Sequence, residues 1–467
     1  MPSNASSTRT ETVPWQVRPT QAGPVPVYIL QFDAAGRLTS PRSLEALVDA
    51  AADATDVVLV SHGWNNDWAA ATSRYDRFFD RLEDVVRSQG PPPDRPYRPV
   101  YAGVHWPSTA LVMPWERGPD IAGGGDGLAG ELAPELAALE DDLGPERTAE
   151  LRAVLADPDA GEAGCARAAE ILAGLPRAED ADDDADGGAG GDAGAREEPA
   201  GSEELLALWA DARRRLAPPA VKPGGIIEED QAVGGPEAAG FLNPLELLRG
   251  GVRLATVRQM KDRAGRVGSA GVADAVRRLT DPADGRPGAR LHLVGHSYGC
   301  RVVLSAVAHG AAPATDVDSV LLLQPALSAW AFAPDVGGHP GGYRVAFDRV
   351  RLPILSTFSA HDMPLTRVFH LAMRRASDLG EAEIAGRPPS RFAALGGFGP
   401  QGLGAEAATL APMPDVGGAY PFGAGYAGAA HEIVGVDGTW CIPGHGEVES
   451  VQTAWALLSQ VRAPETA

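Results

Sequence analysis

The chain has 467 residues, 44% of them hydrophobic, with a formal net charge of −22; its positive residues are Arg except for Lys222 and Lys261. So acidic a surface repels phosphate backbones, which argues against nucleic acid as a partner, and so apolar a composition can build a sizeable core. Cys165, Cys300 and Cys441 form neither a CxxC pair nor a metal-ligand spacing, which suits a reducing, cytoplasmic setting; neither a secretory h-region nor a run of eighteen apolar residues is present, so no spanning helix is expected.

In chain order, residues 1–24 read as a flexible polar tail. Residues 25–32 (VPVYILQF) are β-branched and aromatic and predict a strand. The helix that follows has Ser40 as cap, Pro41 at its first position, and Leu44, Leu47, Val48 and Ala51 on one face. DVVLVS at 56–61 is continuously apolar, as a parallel strand covered on both faces is. Residues 68–89 set Tyr75, Phe78, Phe79, Leu82, Val85 and Val86 at helical spacing and stop at Gly90 and three prolines. Residues 99–104 predict the next strand, closed by His105-Trp106-Pro107. This alternation predicts a parallel sheet with right-handed crossovers, an α/β fold.

The alternation then breaks, and residues 111–240 read as an insertion. It holds a Gly-rich turn (IAGGGDG), helix-forming stretches (ELAPELAALEDDL, ERTAELRAVLA) and an acidic segment, 178–202, too poor in apolar groups to offset chain entropy and expected disordered. The rest of the insertion reads either as a helical cap over a site or as a passive surface addition. The core is thus expected in two pieces, 25–110 and 241–467. The second opens with one or two amphipathic helices (NPLELLRGGVRLATVRQMKDRAGRVG) and a further helical turn or two at 273–279.

The most informative segment is LHLVGHSYGCR at 291–301. An apolar strand runs into Gly295-His296-Ser297-Tyr298-Gly299, and an amphipathic helix follows at once. This is a nucleophile elbow: serine is held in a strained turn with its hydroxyl above the strand end, and the tight reversal excludes Cβ atoms at Gly295 and Gly299. The helix N-terminus adds positive partial charge where an oxyanion develops. The strand DVVLVS ends in His62-Gly63-Trp64-Asn65-Asn66, and a loop in that place supplies one oxyanion donor. The Trp64 and Tyr298 amides are the expected pair, with Gly63 letting the backbone turn.

A serine hydroxyl needs a base, and the base needs an orienting acid; where the serine sits on such an elbow in an α/β sheet, acid and then base follow it in the chain. Strands are predicted at 319–324 and 352–358. Asp362, just past the second, lies on the active-site edge and is the expected acid; Asp335 is its rival. The last strand region, 431–436 with 439–442, precedes Pro443-Gly444-His445-Gly446-Glu447 and a final helix. His445, on a Gly-flanked loop, is the expected base; His431 stands at the wrong end of its strand, and His361 would have to point away from Asp362.

These residues together resemble the α/β-hydrolase superfamily. More narrowly, HGWNN, then HWPS, then GHSYG resemble an uncharacterised bacterial group of α/β-hydrolases with HGYN-like and WPS-like segments ahead of a GHSxG elbow. The resemblance covers about 25–110 and 285–460; the long acidic insertion and the Gly/Pro-rich stretch 385–430 depart from it. It implies hydrolysis of an ester or related acyl bond and names no substrate; a small-molecule acyl substrate is expected, and a triad mechanism requires no metal or organic cofactor. An acyltransferase or peptidase on the same triad, or a non-catalytic binding protein, are the alternatives. Trp106 and Trp115 are candidates for lining an acyl pocket, or equally for core. Oligomeric state is not legible in the sequence.

Overall fold

The computed structural model describes residues 12–20, 23–108, 132–157, 159–175, 244–281, 288–369, 388, 390, 392–405, 407–421 and 432–464. Its centre is a nine-stranded sheet in the order β1-β2-β4-β3-β5-β6-β7-β9-β8. The strands are β1 (Gln16–Thr20), β2 (Gly23–Gln31), β3 (Asp56–Ser61), β4 (Pro99–His105), β5 (Arg290–His296), β6 (Ser319–Leu323), β7 (Ile354–Phe358), β8 (Ala408–Pro412) and β9 (Ile433–Asp437). Only β1 is antiparallel, against β2; every other pairing is parallel.

The pleat distributes the core. Along β3, Val57 and Leu59 face one side, with α1 (Pro41–Ala51). Val58 and Val60 face the other, with α2 (Trp68–Gln89). Both faces are buried, which is why this strand reads as an unbroken apolar run. Helix α2 starts at Asp67, whose carboxylate accepts from the Ala70 amide, and stops at Gly90, with φ 81°. Beyond β4, the described part of the insertion is three helices, α3 (Ala133–Leu143), α4 (Pro145–Ala156) and α5 (Gly161–Ala173). They share a small core with Val252 of α6 (Pro244–Arg266). Helix α6 continues through a π-helical segment, Val267–Val272, into α7 (Ala273–Thr280). Arg263 of α6, 1% exposed, bonds the Ala138 carbonyl (3.0 Å) and Asp142 (2.8 Å) of α3, and the Pro107 carbonyl after β4 (3.1 Å). Then come α8 (Tyr298–Ala308), the single-turn α9 (Leu395–Phe398) and α10 (Val451–Val461), which packs beside α2.

Several expectations are corrected. Residues 16–20, assigned to the tail, form β1; its alternating exposure marks an edge strand and hides it in composition. Ser40 caps nothing with its side chain; its hydroxyl accepts from the Gln31 amide at 2.8 Å, tying α1 to β2. Residues 439–442 turn rather than extend, the Cys441 and Ile442 amides both bonding the Gly438 carbonyl. The Gly/Pro-rich stretch contributes an unanticipated edge strand, β8. The acidic segment 178–202 lies outside the described residues. Among the described residues no helix is long and apolar enough to cross a membrane.

Candidate active site

β5 delivers Ser297 directly into α8, and the turn is strained. Ser297 has φ 56° and ψ −124°, a left-handed conformation costing a non-glycine residue ~1–3 kcal/mol. The surroundings enforce it. The Ser297 amide bonds the Leu323 carbonyl of β6 (3.0 Å), and its own carbonyl accepts from Cys300 (3.1 Å). A Cβ on Gly295 would lie 2.5 Å from the Cys300 Cα, and one on Gly299 would lie 2.3 Å from the Ser61 carbonyl. Both glycines are therefore demanded by close approach, as the strand-to-helix reversal predicts.

The three expected residues come together. His445 Nε2 is 2.8 Å from Ser297 Oγ, and His445 Nδ1 is 2.7 Å from Asp362 Oδ2. An ionised carboxylate only accepts, so Nδ1 carries the proton and Nε2 presents its lone pair to the serine hydroxyl. Asp362 is fully buried, while the His445 side chain keeps 23% exposure. The carboxylate is oriented on all sides: Oδ1 accepts from the Leu365 amide (3.0 Å), and Oδ2 also accepts from Gln324 Nε2 (3.0 Å). Gln324 closes β6 with φ 44°, and Thr357 of β7 both donates to its Oε1 (3.0 Å) and accepts from its amide (2.9 Å).

The loop after β3 is pressed against the elbow. A Cβ on Gly63 would lie 2.6 Å from the Ser297 Cβ and 2.8 Å from the His296 carbonyl. Gly63 is not among the positive-φ glycines, so the reason for it is proximity and not an unusual turn. This corrects the expected role while keeping the residue. The loop is locked beneath by His62, whose Nδ1 donates to the Gly63 carbonyl (2.8 Å) and whose Nε2 accepts from the Trp106 amide (3.3 Å). Burial, and then the His105 and Arg74 charges, push His62 down to about 3, so it serves as a neutral hydrogen-bonding strut. The Trp106 indole stacks on His62 at 5.5 Å and donates to its carbonyl (3.1 Å). Trp106 is fully buried and so belongs to this scaffold, not to a substrate pocket. Ser108 completes the lock: its carbonyl accepts from the Asn65 amide (2.8 Å), and its hydroxyl accepts from the Asn66 amide (3.2 Å). Trp64 packs against Tyr298, ring centroids 6.0 Å apart, so the two residues expected to supply donors adjoin. Tyr298 itself opens α8, where the helix's positive end lies.

Three participants escaped the sequence reading. His296, inside the GHSYG motif, donates from Nε2 to the His445 carbonyl (2.8 Å); burial, followed by the Arg74 and His445 charges, holds it well below the usual histidine range. Gln324 ends the apolar run SVLLL, and a polar residue stopping a buried strand was its one available signal. Arg74 carried none, being one of several arginines on α2. Of the rivals, Asp335 is exposed and caps a turn through the Gly338 amide (2.7 Å), and His361 is exposed. His431 and Trp115 lie outside the described residues. Among the described residues no group of three His, Cys, Asp or Glu side chains is arranged to hold a metal ion. Comparison with protein-family models, with curated proteins and with solved structures finds no match, so the site is read from its own geometry.

Proposed function

We propose that the chain is a serine hydrolase of the α/β-hydrolase fold, acting on an ester or related acyl bond. The observation that carries this reading is the unbroken relay Ser297–His445–Asp362, with contacts of 2.8 and 2.7 Å, mounted on a strained turn. Strain retained at a serine whose hydroxyl meets an imidazole supports a nucleophile, since a merely structural serine has no use for it. The strand order supports the fold assignment, since β5, carrying the serine, lies centrally and the acid and base follow from loops after β7 and β9.

In this mechanism His445 Nε2 takes the Ser297 proton as Oγ attacks the acyl carbonyl, and Asp362 steadies the imidazolium. The oxyanion is received by the Trp64 and Tyr298 amides, each worth ~3–4 kcal/mol of transition-state stabilisation. His445 then protonates the leaving group, and water activated by the same nitrogen releases the acid from Ser297. Labelling with a fluorophosphonate tests the reading: the wild type should react covalently at Ser297 and Ser297→Ala should not. Equal labelling of both would remove Ser297 from the chemistry. A p-nitrophenyl ester series of rising chain length then measures the size of the acyl site.

A further inference from the structure

The donor loop and the base loop hang from strands far apart in the sheet. β3 and β9 are separated by β5, β6 and β7, so no ladder hydrogen bond fixes one loop against the other. One side chain spans them. Arg74 of α2 donates from Nε to Asn66 Oδ1 at 2.9 Å and from Nη1 to the Gly446 carbonyl at 3.0 Å. Asn66 passes the first bond into the donor loop, because its Nδ2 donates to the carbonyls of Gly63 (3.1 Å) and Trp64 (2.8 Å). With Nδ2 so engaged, the amide has a single orientation, and only its oxygen faces Arg74. Gly446 passes the second bond into the base loop, being the residue next to His445. Glu449 pairs with the same guanidinium, and the arginine side chain is only 25% exposed.

We propose that Arg74 is a positioning residue that clamps the donor loop to the base loop, so that the Trp64 amide and His445 keep one mutual geometry around Ser297. The inference rests on Ser297 being the nucleophile. A guanidinium suits the task because its planar fork holds two acceptors in fixed directions, which a lysine ammonium does not.

The rate of fluorophosphonate labelling reads the clamp without knowledge of the natural substrate. Arg74→Gln should slow it by about tenfold to a hundredfold, the scale of a displacement near 1 Å among reacting groups. Arg74→Lys, which keeps the charge and can keep the Glu449 pair, should still be slowed about tenfold. Glu449→Gln, which leaves both bonds of the clamp, should stay within about twofold of wild type. Millimolar methylguanidinium should restore labelling to Arg74→Ala and leave Ser297→Ala inert. Wild-type rates in Arg74→Gln or Arg74→Lys overturn the inference. So does a loss in Glu449→Gln equal to that in Arg74→Gln, or no rescue of an Arg74→Ala protein that melts at the wild-type temperature. Failure of the wild type to label brings down the site reading, and the clamp with it, whereas a labelled wild type beside an equally labelled Arg74→Gln brings down the clamp alone.

Discussion

The sheet carries two Ser-His-Asp arrays, one at each end of β5. At the carboxyl end stand Ser297, His445 and Asp362. At the amino end, Asp56 of β3, His292 of β5 and Ser319 of β6 are joined in the same way, His292 Nε2 lying 3.1 Å from Asp56 and Nδ1 lying 2.8 Å from Ser319. The side chains match, yet the settings differ. All three residues of the second array are fully buried, and Ser319 begins an ordinary strand. Arg95 bonds both oxygens of Asp56 at 2.6 and 2.7 Å, and Thr55 adds a third bond. The ring is also reversed, with Nε2 toward the acid. The amino-end array is a cross-strand pin; the carboxyl-end array has a strained serine, a partly exposed imidazole and the Gly63 loop pressed against it. A trio of residue types is therefore a weak sign of chemistry, and the proposal for the carboxyl end rests on backbone strain and access as well.

The contrast breaks most sharply at the acids. Asp362→Asn should lower labelling and turnover ~10⁴-fold with little change in melting temperature, whereas Asp56→Asn should leave the rate per folded molecule unaltered and cost ~3 kcal/mol by stranding Arg95. Exchange of those two outcomes, read by kinetics and denaturant melts, would reverse the roles of the two ends. Gly63→Ala comes next: a methyl 2.6 Å from the Ser297 Cβ must push the donor loop away, and a ~10²-fold loss of labelling in a folded protein is expected.

Acid stability sharpens the comparison from the other side. Burial alone would raise Asp56, but hydrogen bonds from His292 and Arg95 bring it down to about 2. The unfolded carboxyl titrates near ~3.9, so it binds protons more readily than the folded one, and the array stabilises the fold above about pH 4. That contribution, ~2 kcal/mol, should be lost as the pH falls from about 4 through 2, and Asp56→Asn should flatten this part of the stability curve. His62, also depressed by burial, acts in the same direction, its share fading from about pH 6.5 toward about 3. The smallest effect is at Ser319→Ala, with ~1 kcal/mol of stability lost and labelling within about twofold of wild type.

Much of this arrangement was legible in the sequence because local chemistry and fold agree there. β3 was bounded correctly by its continuous apolar run, and α2 by its helical spacing and its stop at Gly90; the Asp67 cap came only with the structure. Ser297, Asp362 and His445, which the structure brings together, were readable because each follows a strand that composition reveals, as does the Gly63-Trp64 loop pressed against them. β1 and β8 were missed since an exposed edge strand of five residues, each with a proline, carries no hydrophobic signature. The amino-end pin was invisible because Asp56, His292 and Ser319 meet only through parallel pairing across three strands. Arg74 and Gln324 were missed for a related reason: their partners lie far off in the chain, 372 residues in the case of Gly446 and 38 in that of Asp362.

That spread has a consequence during synthesis. His445 lies 148 residues after Ser297 and 83 after Asp362, on the loop between β9 and α10. As the chain leaves the ribosome, the bend with its serine and the carboxylate can be in place before His445, the imidazole that meets the serine hydroxyl, has been made. If Ser297 is the proposed nucleophile, the emerging polypeptide should stay inert toward fluorophosphonate until then, and onset of labelling in a stalled-chain series should follow the docking of β9 and the loop that carries His445.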